Sequence, residues 1–315
     1  MALDHYVSQV HLRNFYAPAL GNRMYAIRKS DLTAHPCRAQ DVCRTKEGST
    51  NDYLVEPRAV EEFLTTIEPK YNESVDTLRS GTISADSVYV IAGFVAYVLT
   101  CSPAAMRINS GPLRGALEAT AALLDKRGDI PPAPPELEGK TLSELLANGT
   151  VALNIDGKYP QAIGIGNITI HTNNLGNSEW EILLNDVGQS PFFTSDYPVA
   201  IEPSANVFVI NRIVPLAPDI AVRIKPNPAR PRSDDFKFPG FSYTRRRLAA
   251  DDVRSINRAI VRCAEDSVFF RGNLNWIPRF VERNRYYRVE TAVRSIPKDR
   301  GELVWSRLEL QERRP

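Results

Sequence analysis

Three polar side chains near the start of the chain have residue types and a spacing that could support chemistry. His5, Gln9 and Arg13 follow one another at intervals of four residues, so on a helix they would share one face. Asp4, directly ahead, is a residue type that caps helices. Histidine can act as a general base near neutral pH, while glutamine and arginine can hold a phosphate or an oxyanion. The spacing predicts a helix that begins after Asp4 and presents an anion-binding row.

A fourth candidate is Asp196, in the segment Thr-Ser-Asp-Tyr-Pro at residues 194–198, which is typical of a turn at the end of a strand. Its carboxylate could orient the His5 imidazole or bind a divalent cation. If folding brings the four residues together, they predict a catalytic site for hydrolysis of a phosphodiester or similar bond. The alternative is structural: the polar residues tie the first helix to the sheet, and Arg13 pairs with Asp196 or Glu68.

Metal and nucleotide sites have weaker support. His35, Cys37 and Cys43 are metal-ligating types, but their spacing matches no CxxC or HxxxH motif. No structural metal is therefore predicted, and the cofactor stays unknown, with a divalent cation compatible but lacking a strong ligand motif. Gly164-Ile165-Gly166 lacks the third glycine of a dinucleotide loop, and no Walker, HExxH or GxSxG motif occurs. Cys101, in the most apolar run, is expected to be a packed thiol.

The C-terminal third of the chain is basic. Residues 212–294 contain 18 Lys or Arg against 9 Asp or Glu, with Arg245, Arg246 and Arg247 as the densest cluster. Arginines beside aromatic rings are typical of nucleic-acid surfaces, and aromatic residues are frequent here: Tyr243, Phe269, Phe270, Trp276, Phe280, Tyr286 and Tyr287. The cluster therefore predicts a nucleic-acid contact. The alternative is a solvated basic face balanced by acidic residues in the helical half.

Overall composition excludes several classes of protein. The 315 residues are 43% hydrophobic and 24% charged, with a formal net charge of +2, which is typical of a globular chain and demands neither a nucleic-acid nor a membrane partner. Four cysteines are too few for a disulfide scaffold. The start of the chain has no signal-peptide pattern, and the most apolar run, residues 88–101, is shorter than the roughly 20 residues of a transmembrane helix. A cytoplasmic location without membrane association is expected.

Periodicity predicts helices over residues 56–80, 84–101, 104–126, 141–147 and 251–270, with Gly111-Pro112 kinking or breaking the third of them. Strands are predicted at 24–28, 180–184, 192–194, 207–210 and 221–224, with edge strands after Tyr286. Because their connections are short, antiparallel pairing is favoured. The expected fold is α+β: a helical N-terminal half packed on a mainly antiparallel sheet, with a long helix near the C-terminus.

Residues 131–135, Pro-Pro-Ala-Pro-Pro, predict an extended connector. It marks a candidate boundary between a mainly helical part, residues 1–130, and a part with sheet and helix, residues 136–315. The prediction for the whole chain, residues 1–315, is nevertheless one compact domain.

Three segments resemble the signatures of a bacterial family, the domain of unknown function 4238. His5-Tyr-Val-Ser-Gln9, followed by Leu12-Arg13-Asn-Phe15, is similar to the family's opening His-Tyr-Val-Pro-Gln and Leu-Arg-x-Phe. Residues 194–199, Thr-Ser-Asp-Tyr-Pro-Val, resemble its Thr-Ser-Asp-x-Pro-Val, and residues 215–218 its Pro-Leu-Ser-Pro. The chain departs at Ser8, where the family has proline, and at Cys101, where an arginine is expected; Arg107 could replace it. The resemblance implies one compact domain but no reaction.

Two functions follow as hypotheses. The first is a protein that binds nucleic acid or hydrolyses phosphodiester bonds, with His5, Gln9, Arg13 and Asp196 in the catalytic site and Arg245, Arg246 and Arg247 on the nucleic acid. The second is a recognition module without catalytic activity, for a protein or a small molecule, in which the signature residues are structural. The oligomeric state is not predictable from these patterns.

Overall fold

The N-terminal segment is extended before it becomes helical. The computed structural model describes residues 3–186, 190–206, 209–298 and 301–313. Its first strand, β1 (Leu3–His5), pairs antiparallel with β4 (Arg44–Lys46), and the first helix, α1, covers only Gln9–Arg13. The prediction of a helix from Asp4 was therefore wrong, because pairing with a distant segment holds His5 on a strand. Asp4 caps no helix; its carboxylate accepts the Ser49 N–H at 3.1 Å.

Seven helices, α2 to α8, follow the N-terminal segment, and a proline explains why the first predicted helix is divided into two. The predicted helix over 56–80 is two helices, α2 (Ala59–Ile67) and α3 (Tyr71–Ser80), separated by a 3-10 turn that contains Pro69. Ser84 caps α4 (Ala85–Cys101) in a capping box. Helix α5 (Pro103–Arg127) runs through Gly111-Pro112 without a break. After the proline-rich segment come α6 (Leu142–Ala147), α7 (Lys158–Gly166) and α8 (Ile168–Gly176).

The strands form two main sheets. The larger joins β5 (Glu179–Leu184), β7 (Ala200–Pro203), β8 (Ile210–Ala217), β9 (Ile220–Lys225) and β10 (Ser242–Arg247) in the order β10-β5-β9-β8-β7, and only the β10-β5 pair is parallel. The smaller sheet is antiparallel in the order β3-β2-β11-β6, with β2 at Met24–Arg28, β3 at Ala34–Cys37, β6 at Thr194–Ser195 and β11 at Ser267–Phe270. Of the predicted strand 207–210, residues 207 and 208 lie outside the described residues.

The C-terminal third ends in strands instead of a long helix. The predicted helix 251–270 ends early: α9 covers Ala250–Cys263, and Ser267–Phe270 form β11 because they pair with both β2 and β6. Helix α10 (Ile277–Asn284) leads into a hairpin of β12 (Tyr287–Lys298) and β13 (Gly301–Glu312), which confirms strands after Tyr286. One cluster of buried side chains spans helices and sheets. The fold is thus α+β, as predicted.

Close contact between α5 and the hairpin depends on glycine. A Cβ atom at Gly115 would lie 2.3 Å from Val293 Cγ1. We expect Gly115→Ala to lower the free energy of unfolding by about 1–3 kcal/mol, because the hairpin must move or strain. Urea denaturation measures this. The matched control is Gly166→Ala on α7, where an added Cβ meets nothing within 4 Å; equal stability changes in the two variants would contradict the packing argument.

No single helix in the described residues is long and apolar enough to cross a bilayer. The segments Ala59–Ser80 and Ala85–Cys101 meet the criterion of length and composition only as a pair, and they are bent by 117° relative to each other.

Candidate functional site

The three predicted N-terminal site residues lie together on the surface. The Gln9 side-chain amide is 3.4 Å from His5 Nδ1, and Arg13 donates to Gln9 Oε1 at 2.9 Å. The row therefore forms although His5 is on a strand and only Gln9 and Arg13 are helical. Burial lowers the pKa of His5, and its Nε2 atom is buried without a hydrogen-bond partner. Arg13 is exposed.

Asp196 is engaged elsewhere. Its side chain is buried, and its Oδ1 atom accepts the Glu265 N–H at 2.9 Å, while Oδ2 accepts the Asp266 and Ser267 N–H groups at 2.8 and 2.9 Å. Burial raises the pKa of Asp196 to about 6, against the effect of these three hydrogen bonds. Within the described ranges, no hydrogen bond or ion pair joins Asp196 to the N-terminal row. Asp196 holds the turn between α9 and β11.

Arg13 does not pair with Glu68 as the structural alternative proposed; Arg13 contacts Gln9, and Glu68 contacts Ser8. The Glu68 carboxylate accepts a hydrogen bond from the Ser8 hydroxyl at 2.6 Å, so Ser8 ties α1 to the turn after α2. The Tyr97 hydroxyl donates to the His5 carbonyl oxygen. These contacts anchor the opening signature through its backbone and Ser8.

His11, which was not among the predicted site residues, connects the two signatures. It is fully buried, with Nδ1 2.7 Å from the Tyr71 hydroxyl and Nε2 2.8 Å from Thr194 Oγ1. Its ring stacks on Phe94 with 4.7 Å between centroids. Burial lowers the pKa of His11 to about 3, so the ring is neutral at pH 7. The sequence signal was a histidine among Val7, Val10 and Phe15, which favours the core over a catalytic face.

The arginine cluster lies on an exposed edge strand, but its guanidinium groups have protein partners. Arg245, Arg246 and Arg247 are in β10, at the edge of the larger sheet. Arg245 donates to the Arg79 carbonyl oxygen, Arg246 is 3.5 Å from the Asp252 carboxylate, and Arg247 pairs with Asp186. The surface is therefore exposed and partly neutralised.

Metal-ligating side chains do not converge within the described part of the chain, where no group of three His, Cys, Asp or Glu could hold an ion. Cys37, Cys43 and Cys101 are buried. Burial raises the pKa of both Cys37 and Cys101 to about 12, which keeps these thiols protonated at neutral pH. Cys101 is thus a packed thiol in α4.

A cavity of about 450 Å³ lies between the helices and the sheet. Helices α4, α5, α7 and α8 form one side, and β8 and β13 contribute to the other. Most of its lining is apolar, including Leu99, Ile108, Leu113, Leu175, Ile210 and Leu308, and the polar residues are Thr100, Asn109, His171, Asn174, Tyr197 and Arg212. A mostly apolar lining with few polar groups is typical of small-molecule sites.

Arg212 is the cation of this cavity, and it has no counter-charge. Its Nη1 atom is buried without a hydrogen-bond partner, and within the described residues its side chain makes no ion pair. On the neighbouring strand β9, Arg223 instead contacts the carboxylates of Glu181 and Glu202. Burial lowers the pKa of Arg212, although a guanidinium stays charged at neutral pH. Arg212 as a whole is half-buried, and a charge withdrawn from water without a partner is unfavourable, so the cavity is electrostatically suited to an anion.

Two further donors lie beside Arg212. Tyr197 lines the cavity, and within the described ranges its hydroxyl makes no hydrogen bond. Burial raises the pKa of Tyr197 to about 12, so the hydroxyl keeps its proton. A second cavity, of about 380 Å³, shares Arg212 and includes Trp305, whose Nε1 atom is also buried without a partner. The second signature therefore places a tyrosine next to an unpaired arginine.

Comparison with known proteins identifies the family. Searches of curated proteins and of solved structures gave no match. The family model described as protein of unknown function (DUF4238) matches residues 4–273. That range contains the N-terminal row, His11, Asp196 and Arg212. Because the match covers most of the chain, the protein belongs to the DUF4238 family.

Proposed function

We propose that the protein is a recognition module for a small molecule with an apolar body and a carboxylate, held in the cavity around Arg212. The observation that carries the proposal is the guanidinium without a counter-charge at the wall of a cavity of about 450 Å³. A carboxylate would supply the missing negative charge and match the planar fork of arginine. The proposal is the small-molecule form of the recognition hypothesis.

The rest of the cavity supports this class of ligand. Its aliphatic walls can take up an apolar chain or ring, and burying that surface favours binding by roughly 25 cal/mol for each Å². Tyr197 and Asn109 offer further hydrogen bonds near Arg212. His171 is exposed, which places it where the cavity meets solvent.

Phosphodiester hydrolysis, the other function expected from the sequence, has less structural support than ligand binding at Arg212. The row of His5, Gln9 and Arg13 supports it, because a base, an amide and a guanidinium adjoin one another on the surface. The Asp196 carboxylate, however, is occupied by three backbone N–H groups, so the row would need another acid or a metal. Hydrolysis stays a prediction, tested by nuclease assays of His5→Ala with and without Mg²⁺; unchanged turnover in that variant would remove His5 from the mechanism.

The binding proposal predicts a specific loss in Arg212→Met. We expect octanoate to bind the wild-type protein, and the affinity to fall about 10- to 100-fold in the variant, because charge-assisted hydrogen bonds are worth about 1.5–3 kcal/mol. The unliganded variant should be at least as stable as wild type, since a buried charge without a partner is removed. Isothermal calorimetry and thermal melting measure the two effects.

Two controls sharpen this test. Arg13→Met removes an exposed arginine outside the cavity and should leave octanoate affinity unchanged. The alcohol 1-octanol has a similar apolar chain without the charge and should bind Arg212→Met and wild type alike. Equal octanoate affinity in Arg212→Met and wild type, or no octanoate binding at all, would contradict the assignment of a carboxylate to Arg212.

A further inference from the structure

We propose that the cleft between the N-terminal end of α9 and helix α10 binds single-stranded nucleic acid. This α10 cleft has a volume of about 840 Å³. Its arginines are Arg254, Arg279 and Arg283, and its aromatic residues are Trp276 and Phe280. The inference is independent of the Arg212 cavity and moves the expected nucleic-acid contact away from the arginine cluster on β10.

The positive charge of the α10 cleft is largely free. Arg279 and Arg283 are one helical turn apart and exposed, and neither makes a hydrogen bond or an ion pair within the described residues. Among the residues that the structure describes, the ion-pair partner of Arg254 is Asp251, at 2.9 Å; that pair is exposed and therefore weak. By contrast, each guanidinium of the cluster at residues 245–247 contacts a backbone carbonyl or a carboxylate, and the two ion pairs among these contacts are exposed as well.

An aromatic platform lies beside these arginines. The Trp276 side chain is 37% exposed, and its ring stacks on buried Phe193 with 5.7 Å between centroids and 21° between planes. Phe280 packs edge-to-face against the Trp276 ring, with 5.5 Å between ring centroids. The Phe193 N–H donates to Asn257 Oδ1 at 2.9 Å, which fixes the support of the platform. Trp276 thus presents part of its indole to solvent, and packing against Phe193 and Phe280 holds the ring in place.

Arginines spaced along one helix beside an exposed indole suit a single strand better than other polyanions. In a single strand, the phosphates can bind the guanidinium groups while the bases stack on the indole. In a duplex, the base faces are stacked on one another and cannot reach the indole. An acidic peptide could neutralise the arginines, but its aspartate and glutamate side chains have no flat ring that could stack on Trp276. The combination of free charge and platform therefore favours single-stranded nucleic acid.

Fluorescence anisotropy with fluorescein-labelled dT15 and the full-length protein tests the proposal. In Arg279→Ala/Arg283→Ala we expect affinity to fall at least tenfold in 100 mM salt. The slope of log affinity against log salt should become shallower by about 1.4, because two phosphate contacts are lost. Trp276→Leu should weaken binding about tenfold with little change of slope, since stacking carries no charge. Thermal melting checks that both variants fold.

The matched control is Arg246→Ala/Arg247→Ala, which removes the same charge from β10 and should bind dT15 like wild type. Equal losses of dT15 affinity in the two double variants would show that binding depends on net charge alone, which would overturn the proposal. So would the absence of dT15 binding by wild type, or equally tight binding of a dT15·dA15 duplex or of a polyaspartate peptide. Octanoate binding in Arg279→Ala/Arg283→Ala should stay at the wild-type level, which separates this site from the Arg212 cavity.

Discussion

Replacing Asp196 with alanine is expected to lower the free energy of unfolding by about 3–5 kcal/mol. The carboxylate accepts three backbone N–H groups, from Glu265, Asp266 and Ser267, and each donor left unsatisfied in a buried site costs about 1–3 kcal/mol. The three losses are coupled, so their effects do not simply add. Urea denaturation followed by circular dichroism measures the change.

The effect should spread along β11. Asp196 fixes the turn that delivers Ser267–Phe270 between β2 and β6, and Val268 and Phe269 of that strand are buried. Asp196→Asn keeps one oxygen acceptor and should lose about half as much stability as Asp196→Ala. The surface control is Asp186→Ala, which breaks only an exposed pair with Arg247 and should change stability by less than about 1 kcal/mol.

The same series distinguishes a structural role from a catalytic one. An Asp196→Ala variant that folds with wild-type stability but loses a hydrolytic activity would favour catalysis and contradict the structural role of this carboxylate. A large loss of stability in that variant, relieved in part by asparagine, would instead place Asp196 among the residues that hold the fold together. In either outcome, the row at His5, Gln9 and Arg13, of which only Arg13 is exposed, has to be assayed separately.

Elements set by local chemistry were predictable from the sequence. The strand at Met24–Arg28 and the capping of α4 by Ser84 match the structure because strand-forming residue types after a turn and helix capping depend on neighbouring residues. Pairing between distant segments was not predictable. His5 is extended because it pairs with Arg44, and Ser267–Phe270 leave the helical pattern because two strands flank them.

In the candidate sites, too, contacts between neighbouring residues were predictable and contacts between distant residues were not. Spacing alone placed Gln9 and Arg13 side by side, since both are on one helix. The partners of Asp196 are 69–71 residues away along the chain, so no local pattern could show that its oxygens were occupied. For Arg212, the sequence shows a charge within an apolar strand. Whether a carboxylate reaches that charge depends on the packing of four helices against the sheet.

Acid should destabilise the protein through His11, and His11→Gln should remove that contribution. Burial lowers the pKa of His11 to about 3 in the folded protein, while an exposed histidine in the unfolded chain titrates near 6.5. Between these values the unfolded chain binds a proton that the folded protein does not, so stability is lost as the pH falls below about 6.5. The loss is about 1.4 kcal/mol for each pH unit in that window.

The difference between wild type and His11→Gln isolates this effect. At pH 7 we expect the variant to be less stable by about 1–3 kcal/mol, because the hydrogen bonds to Tyr71 and Thr194 and the stacking on Phe94 are disturbed. At pH 5 the gap should narrow by about 2 kcal/mol, since only the wild type has this histidine to protonate on unfolding. Urea denaturation at both values measures the gap.

Asp196 acts in the opposite direction and is present in both proteins, so the comparison cancels it. Burial raises its pKa to about 6, above the unfolded value near 3.9, so the folded protein binds that proton first and gains stability as the pH falls through 6. A gap that stayed constant between pH 7 and pH 5 would mean that His11 is not held neutral. A neutral ring satisfies both hydroxyl partners in either tautomer, because each hydroxyl can donate or accept. Its charged form would have to be buried against Phe94 without a carboxylate in hydrogen-bond contact, which is why the connection that His11 makes between Tyr71 and Thr194 should be sensitive to acid.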